Sequence, residues 1–456
     1  MGYSKSGAPK AARTVPEEAS RKIPEKTFII DNGAYTMKAG YASAECRSIP
    51  NAIVKTRDND IVVGAELSTV ANWNEAVFRR PMEKGYITSW ETQREIWDRS
   101  FFDANAEVKI EDPRDTTLIL TEAPNAIPIL KRNTDEMVME EWGFGGYLKA
   151  IGPTYNAWNE IQSLFGDPIT QTQEIKPADC LLVVDSGFSH TTVTPVYRGH
   201  PVHRGIRRLD FGGKHITSLL KELVSERQIN MMDETYIMNQ IKESACYVSN
   251  DFSKDMERTL KGNRSYQAKA EDGIVLDYVL PDPNANRKGF TRQHDPVMHM
   301  KKKKGALSGL SAEVLSEDVL VMGSERFHAP ELLFTPSDIG LKEPGIPEMI
   351  MQSLSVLPTS LQAVYLANVL VVGGNALLRG FMERLETDLR EIAPDTCVVR
   401  LRRAEDPIQS AWLGASRLAQ NREHLNHVAI SRQEYQEYGA GWAGQRFMIQ
   451  AYLGSK

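Results

Sequence analysis

The sequence predicts an α/β fold with an internal duplication, and three apolar strands predict it. One ends in Asp31-Asn32-Gly33, a second in Asp185-Ser186-Gly187, and a third in Gly373-Gly374-Asn375. Helical periodicity follows the third, and strands alternating with helices give the α/β class.

In chain order, residues 1–26 are polar and read as a disordered tail. Thr27-Phe28-Ile29-Ile30 opens the first strand, and the chain continues past its turn into Lys38-Ala39-Gly40-Tyr41. About 150 residues later, Cys180 to Val184 leads through Asp185-Ser186-Gly187 into the β-branched run Thr191 to Thr194. Each copy reads as a β-hairpin with a carboxylate at its tip, so a whole domain is expected to be duplicated. After Val369 to Val372, the residues Phe381, Leu385, Leu389 and Ile392 share one helical face. Pro347 suits the first position of another helix, and Ser431 with Glu434 has capping-box spacing. The stretch 283–318 is polar, carries Lys301, Lys302, Lys303 and Lys304, and reads as a long loop or insertion.

A chain of 456 residues exceeds one ordinary core. Its net charge of −6 excludes a globally basic nucleic-acid binder but leaves room for a local basic patch. Cys46, Cys180, Cys246 and Cys397 are scattered without a CxxC, which points to reduced thiols rather than a zinc site. There is no apolar run of about 18 residues and no signal-type N-terminus, so no membrane role is expected.

Two Asp-tipped hairpins suit a nucleoside triphosphate with a divalent ion. Backbone N–H groups of a glycine turn can wrap phosphate oxygens. Carboxylates such as Asp31 and Asp185 can hold Mg²⁺ through its water shell. Lys38 can place a point charge on the phosphates, and Gly373-Gly374 allows close approach of a nucleoside. One such turn alone is most often just a turn with its Asp satisfying local N–H groups. The ordered set is more specific, and neither GxxxxGK[ST] nor GxGxxG follows these strands.

At this point the residues resemble the actin family. Asp31 through Lys38 resembles its first phosphate loop, and Asp185-Ser186-Gly187-Phe188 its second. Lys242-Glu243 resembles the ribose and base segment, and Gly373-Gly374-Asn375 the adenosine motif. Glu325-Arg326-Phe327, Pro330-Glu331 and Ala411-Trp412-Leu413-Gly414 also match, in family order, over residues 27–440. The resemblance implies two lobes, or four subdomains, around a nucleotide cleft. Subdomain 1 would comprise 27–50, 85–152 and 366–456, and subdomain 2, with a shortened loop, 51–84. Subdomain 3 would comprise 153–210 and 319–365, and subdomain 4 residues 211–282, with 283–318 as a basic insertion. The nucleotide-binding residues it implies are Asp31, Asn32, Gly33, Lys38, Asp185, Ser186, Gly187, Gly213, Lys242, Glu243, Gly373, Gly374 and Asn375, with ATP or ADP and Mg²⁺ as a structural cofactor.

The departures from the actin pattern point away from catalysis. By its resemblance to the family pattern, Gly145 stands where actin has the glutamine that positions the attacking water, and Thr192 replaces a histidine. Phe188 replaces a carboxylate, and Ala34-Tyr35 replaces a serine and a glycine. Asn239, Leu378 and Ile408 stand where actin uses an arginine, a tyrosine and a lysine around the adenosine. Hydrolysis needs a positioned water and stabilised charge, so no catalytic residue is assigned and ATPase activity is expected to be lost. Within the family, Pro336 to Gly340, Gly345 to Glu348 and Met232 to Thr235 resemble the nuclear actin-related subunits of Swr-type remodellers. That resemblance implies a non-catalytic, mainly nuclear subunit of a histone-variant-exchange complex, with some protein in the cytoplasm. Its partners would be the remodeller ATPase, a zinc-finger HIT subunit and nucleosomal DNA. Arg287, Lys288 and Arg292, with the four lysines 301–304, form the candidate basic contact loop. Filament formation is not expected; the alternative is a cytoskeletal actin-like protein with slow ATP turnover.

Overall fold

The computed structural model describes residues 23–70, 72–73, 76–166, 175–260, 274–282, 287–295 and 317–453. In the first lobe, β1 (Lys26–Asn32) and β2 (Thr36–Tyr41) form the first hairpin, and β3 (Arg47–Pro50) extends it. A small sheet of β4 (Ile53–Lys55), β5 (Ile61–Val63) and β6 (Val77–Arg79) follows, then the hairpin of β7 (Met82–Glu83) and β8 (Tyr86–Ile87). The lobe is completed by β9 (Thr116–Glu122) and β10 (Gly146–Ile151).

The second lobe repeats the plan. β11 (Cys180–Ser186) and β12 (Thr191–Tyr197) form its hairpin, flanked by β13 (His200–Pro201) and β14 (Arg207–Leu209). A separate sheet holds β15 (Leu276–Val279), β16 (Phe290–Gln293) and β17 (Val319–Met322). β18 (Val369–Val372) and β19 (Leu401–Arg403) complete the main sheet, while β20 (Ile430–Ser431) returns to the first lobe.

The duplication is visible in the strand order. The first sheet runs β10-β9-β1-β2-β3 and the second β19-β18-β11-β12-β13. In both, the two strands beside the hairpin are parallel to its first strand, and the other pairings named are antiparallel. Asp31 and Asp185 occupy the same penultimate position of β1 and β11. Their cross-strand partners differ: Lys38 faces Asp31, whereas Thr192 faces Asp185.

Each lobe has its own core. The first gathers Phe28, Trp97, Phe101, Tyr147 and Trp412 around its sheet. The second gathers Val184, Leu220, Tyr365, Phe381 and Leu385. Among the described residues no helix is long and apolar enough to cross a membrane.

One local expectation is met and two are adjusted. Ser431 and Glu434 form the reciprocal capping box, with Ser431 N donating to Glu434 Oε2 at 2.9 Å and Glu434 N to Ser431 Oγ at 3.2 Å. Pro347 lies in the first turn of the Ile346–Ser355 helix, at its second residue. Phe381, Leu385 and Leu389 are buried, but Ile392 is 45% exposed because the Phe381–Ile392 helix ends there.

Three readings are corrected. The tail does not extend to residue 26: Ile23 is buried, the Pro24 carbonyl accepts from Thr117 Oγ1 at 2.9 Å, and Lys26 opens β1. The stretch 283–318 is not wholly a loop, because Phe290–Gln293 forms a strand against β15. Arg287 and Arg292 in that stretch pair with Glu317 at 3.4 and 2.7 Å, and Arg292 also reaches buried Asp277 at 3.6 Å. Those two guanidiniums therefore stabilise the small sheet instead of standing free as a basic surface. Lys288 lies between them; Lys301, Lys302, Lys303 and Lys304 lie outside the described residues.

Candidate nucleotide cleft

The two hairpin tips face each other across a cavity of about 490 Å³, within the range of small-ligand sites. Asp31, Gly33, Lys38, Asp185, Gly187, Gly213, Lys242, Glu243, Gly373, Gly374 and Asn375 all line it. Ala34, Tyr35, Phe188, Leu378 and Ile408 line it as well.

Asn32 and Ser186 do not line that cavity. The Asn32 amide donates to Gln93 Oε1 at 3.1 Å inside the first lobe, so it braces the turn from behind. Ser186 is fully buried, 3.0 Å from Thr191 Oγ1, and accepts from Asn375 Nδ2 at 3.1 Å. The glycine N–H groups of the two turns are engaged within the turns. Gly33 N donates to the Asp31 carbonyl and Gly187 N to the His190 carbonyl, because the turns close on themselves.

The charged groups at the cavity floor are unevenly compensated. Asp31 accepts from Thr121 Oγ1 at 2.8 Å and lies 3.5 Å from Lys38 Nζ. Asp185 is pushed up to about 6, chiefly by loss of water, with Asp31 adding to the shift and Lys38 opposing it. Two carboxylates that disfavour each other's charge fit a divalent cation. Among the described residues lining the cavity this pair faces the site, so water and phosphate oxygens would complete an octahedral Mg²⁺ shell. Among the described residues no group of three or more His, Cys, Asp and Glu could hold a metal ion.

The nucleoside end is tied up in an internal network. Lys242 Nζ donates to Asn239 Oδ1 at 2.7 Å and to the Gly213 carbonyl at 3.3 Å, and burial lowers its pKa. Asn239 Nδ2 donates to Glu243 Oε1 at 2.7 Å and to Tyr35 Oη at 3.1 Å. Gly373 holds φ +92°, and a side chain there would strike the Ser186 carbonyl, so this approach requires glycine.

The structure moves one position. Gly145 sits at the outer start of β10, where its N–H donates to the carbonyls of Pro113 and Thr116, and it does not line the cleft. A side chain at 145 would run into the Arg114 carbonyl. Gly152, just past the other end of β10, lines the cavity with Asp31 and Asp185. A Cβ at 152 would meet only Thr121, at 3.9 Å, so a side chain fits. Gly152, not Gly145, is therefore the residue facing the carboxylate pair. The strand end at Gly152-Pro153 was the available signal, since Pro favours a new helical turn there.

Two contributors carried no sequence signal. Arg80 Nη1 donates to the carbonyls of Ala34, Tyr35 and Asn51 at 3.3–3.4 Å, with its guanidinium 4.9 Å from the Tyr35 ring centre and 5.1 Å from that of Phe188. His190 lies 2.7 Å from Ser189 Oγ and is pushed down to about 3 by burial, reinforced by Arg208, so it is neutral at physiological pH. It is neutral and packed under Gly85, and Thr192 is buried beside Asp185 in the hairpin ladder.

Comparisons with known proteins agree with this geometry. The family model described as Actin matches residues 23–448. The chain is 61% identical to "Actin-like protein arp6" of Aspergillus fumigatus, covering 98% of this chain and 99% of that protein. It is 46% identical to "Actin-related protein 6" of Neurospora crassa, over 93% and 94% of the two chains. It is 33% identical to "Actin-related protein 6" of Arabidopsis thaliana, over 92% and 98%.

Proposed function

This chain belongs to the actin family, and we propose that it is a non-catalytic, structural actin-related subunit of a nuclear, Swr-type histone-variant-exchange remodeller. The observation that carries the non-catalytic part is the cleft lining itself: Gly152 and Phe188 flank the carboxylate pair. A glycine cannot position a water with a side chain, and a phenyl ring offers no oxygen to accept from metal-bound water. Asp31 and Asp185 would hold Mg²⁺, Lys38 the phosphates, and Lys242, Glu243 and Gly373-Gly374 the nucleoside. ATP or ADP held by these groups would not be turned over.

The remodeller assignment rests on the family branch whose names the relatives bear and on the motifs shared with it. In this reading the chain bridges the remodeller ATPase, a zinc-finger HIT subunit and nucleosomal DNA, the last through lysines 301–304 and Lys288. Affinity purification of the tagged chain from nuclear extract, with mass spectrometry and sedimentation, tests it. Stoichiometric recovery of a remodeller ATPase and a HIT zinc-finger protein is expected, with no pelletable polymer in magnesium and salt. Recovery alone, or as sedimenting filaments, would instead favour a cytoskeletal actin-like protein.

A further inference from the structure

The cleft is bridged at three levels by the chain's own side chains. At its centre, Tyr35 from the first hairpin loop and Phe188 from the second stack with ring centres 4.8 Å apart. Arg80 covers both rings, and Asn239 holds the Tyr35 hydroxyl from the second lobe at 3.1 Å. At one rim, Trp73 beside the small first-lobe sheet stacks on Tyr236 of the Thr235–Ala245 helix, at 3.8 Å and 13°, with Phe78 parallel to both. At the other rim, the β7–β8 hairpin docks on the second lobe. Glu83 pairs with Lys214 at 2.9 Å, Lys84 with Asp210 at 3.0 Å, and Arg208 donates to the Lys84 carbonyl.

We propose that this aromatic bridge, Tyr35–Phe188 in the centre and Trp73–Tyr236 at the rim, latches the two lobes closed without a nucleotide. Two lobes joined along one side open by hinging unless something spans the mouth. A nucleotide can close such a cleft only by the difference in its affinity for the two states. Here half-buried aromatic contacts contributed by both lobes, with the Arg80 guanidinium stacked on the central pair, favour the closed state in the chain itself. The exposed ion pairs at the far rim add less, because solvent and salt screen them. The closed shape is then a constant of the subunit.

Amide hydrogen exchange over 33–36 and 187–190 tests the latch on the full-length protein, before and after stripping nucleotide and Mg²⁺ with chelator and apyrase. Stripping is expected to change exchange less than about twofold, whereas Tyr35→Gly with Phe188→Asp raises it tenfold or more. Tyr236→Leu removes the rim stack while keeping an apolar side chain, and is expected to raise exchange several-fold; it decides the matter if the double variant does not fold. A tenfold rise on stripping the wild type, or unchanged exchange in the variants, overturns the latch. The latch is separable from the loss of hydrolysis: a wild type that releases phosphate yet stays closed when stripped would sink only the latter.

Discussion

Tyr35 and Phe188 occupy the loops of the two duplicated hairpins and bring their rings to 4.8 Å across the cleft. Neither residue is apolar by accident of a core, for both line the cavity that holds Asp31 and Asp185. A position that would serve metal or water in a nucleotidase serves packing here.

The proposed loss of hydrolysis is testable at the position that faces the carboxylate pair. Gly152→Gln with Phe188→Asp is expected to raise ATP hydrolysis at least about tenfold above wild type, since single charge-stabilising donors carry factors of about 10² or more. Gly145→Gln is expected to add nothing to activity and to destabilise the protein, because a side chain there meets the Arg114 carbonyl. Phosphate release and thermal melting of the two variants check both statements.

The raised Asp185 carboxyl gives a signed pH dependence. Its folded pKa, about 6, exceeds the unfolded value, so its stabilising contribution is present below pH of about 4 and is lost as pH rises through 6. At pH 7.5 in chelator, Asp185→Asn should therefore stabilise the protein by roughly 3 kcal/mol, and the gain should vanish near pH 4. Mg²⁺ should stabilise the wild type and not this variant. Melting curves across pH, with and without the ion, measure it.

Beneath the cleft, Lys149 is buried 2.6 Å from Asp135, and Asp135 is pushed up to about 6 chiefly by burial, against the pull of Lys149. Glu122 lies 3.7 Å from the same ammonium. Lys149→Met removes the cation beside buried Asp135, while Glu122 keeps Lys131 at 3.5 Å, and is expected to cost about 3–5 kcal/mol. Lys149→Met combined with Asp135→Leu should cost less than the single change. Urea unfolding of both variants decides this.

Arg292 is expected to behave as a structural residue. Arg292→Ala should raise hydrogen exchange in Leu276–Val279 by exposing Asp277 and Glu317, and should leave the salt dependence of nucleosome binding unchanged. Substituting the four lysines 301–304 by alanine should reduce that salt slope without altering the melting temperature.

The hairpins were legible because strand alternation, the Asp-Gly turns and the 3.6-residue pattern are local signals. Asp31, Asp185, Gly373 and the Ser431 cap were all found that way. Strand β16 was not legible, since the four residues Phe290–Gln293 lie among polar residues and owe their form to pairing with β15. The sequence places Gly145 at the water position because Gly145 and Gly152 both lie beside β10, and only the direction of that strand shows which end meets the cleft. Arg80, Trp73 and Tyr236 are isolated in the sequence; Arg80 reaches the Tyr35 loop through contacts within its own lobe, and Trp73 meets Tyr236 only across the cleft.

The central claim is that this actin fold retains its cleft and has lost hydrolysis. Single-turnover phosphate release from the purified chain, with saturating ATP and Mg²⁺ and the bound nucleotide extracted and identified in parallel, tests it most directly. The expected result is no release above the enzyme-free blank, whether the cleft is recovered empty or holding an intact nucleotide. Release at a rate comparable with conventional actin would contradict the claim.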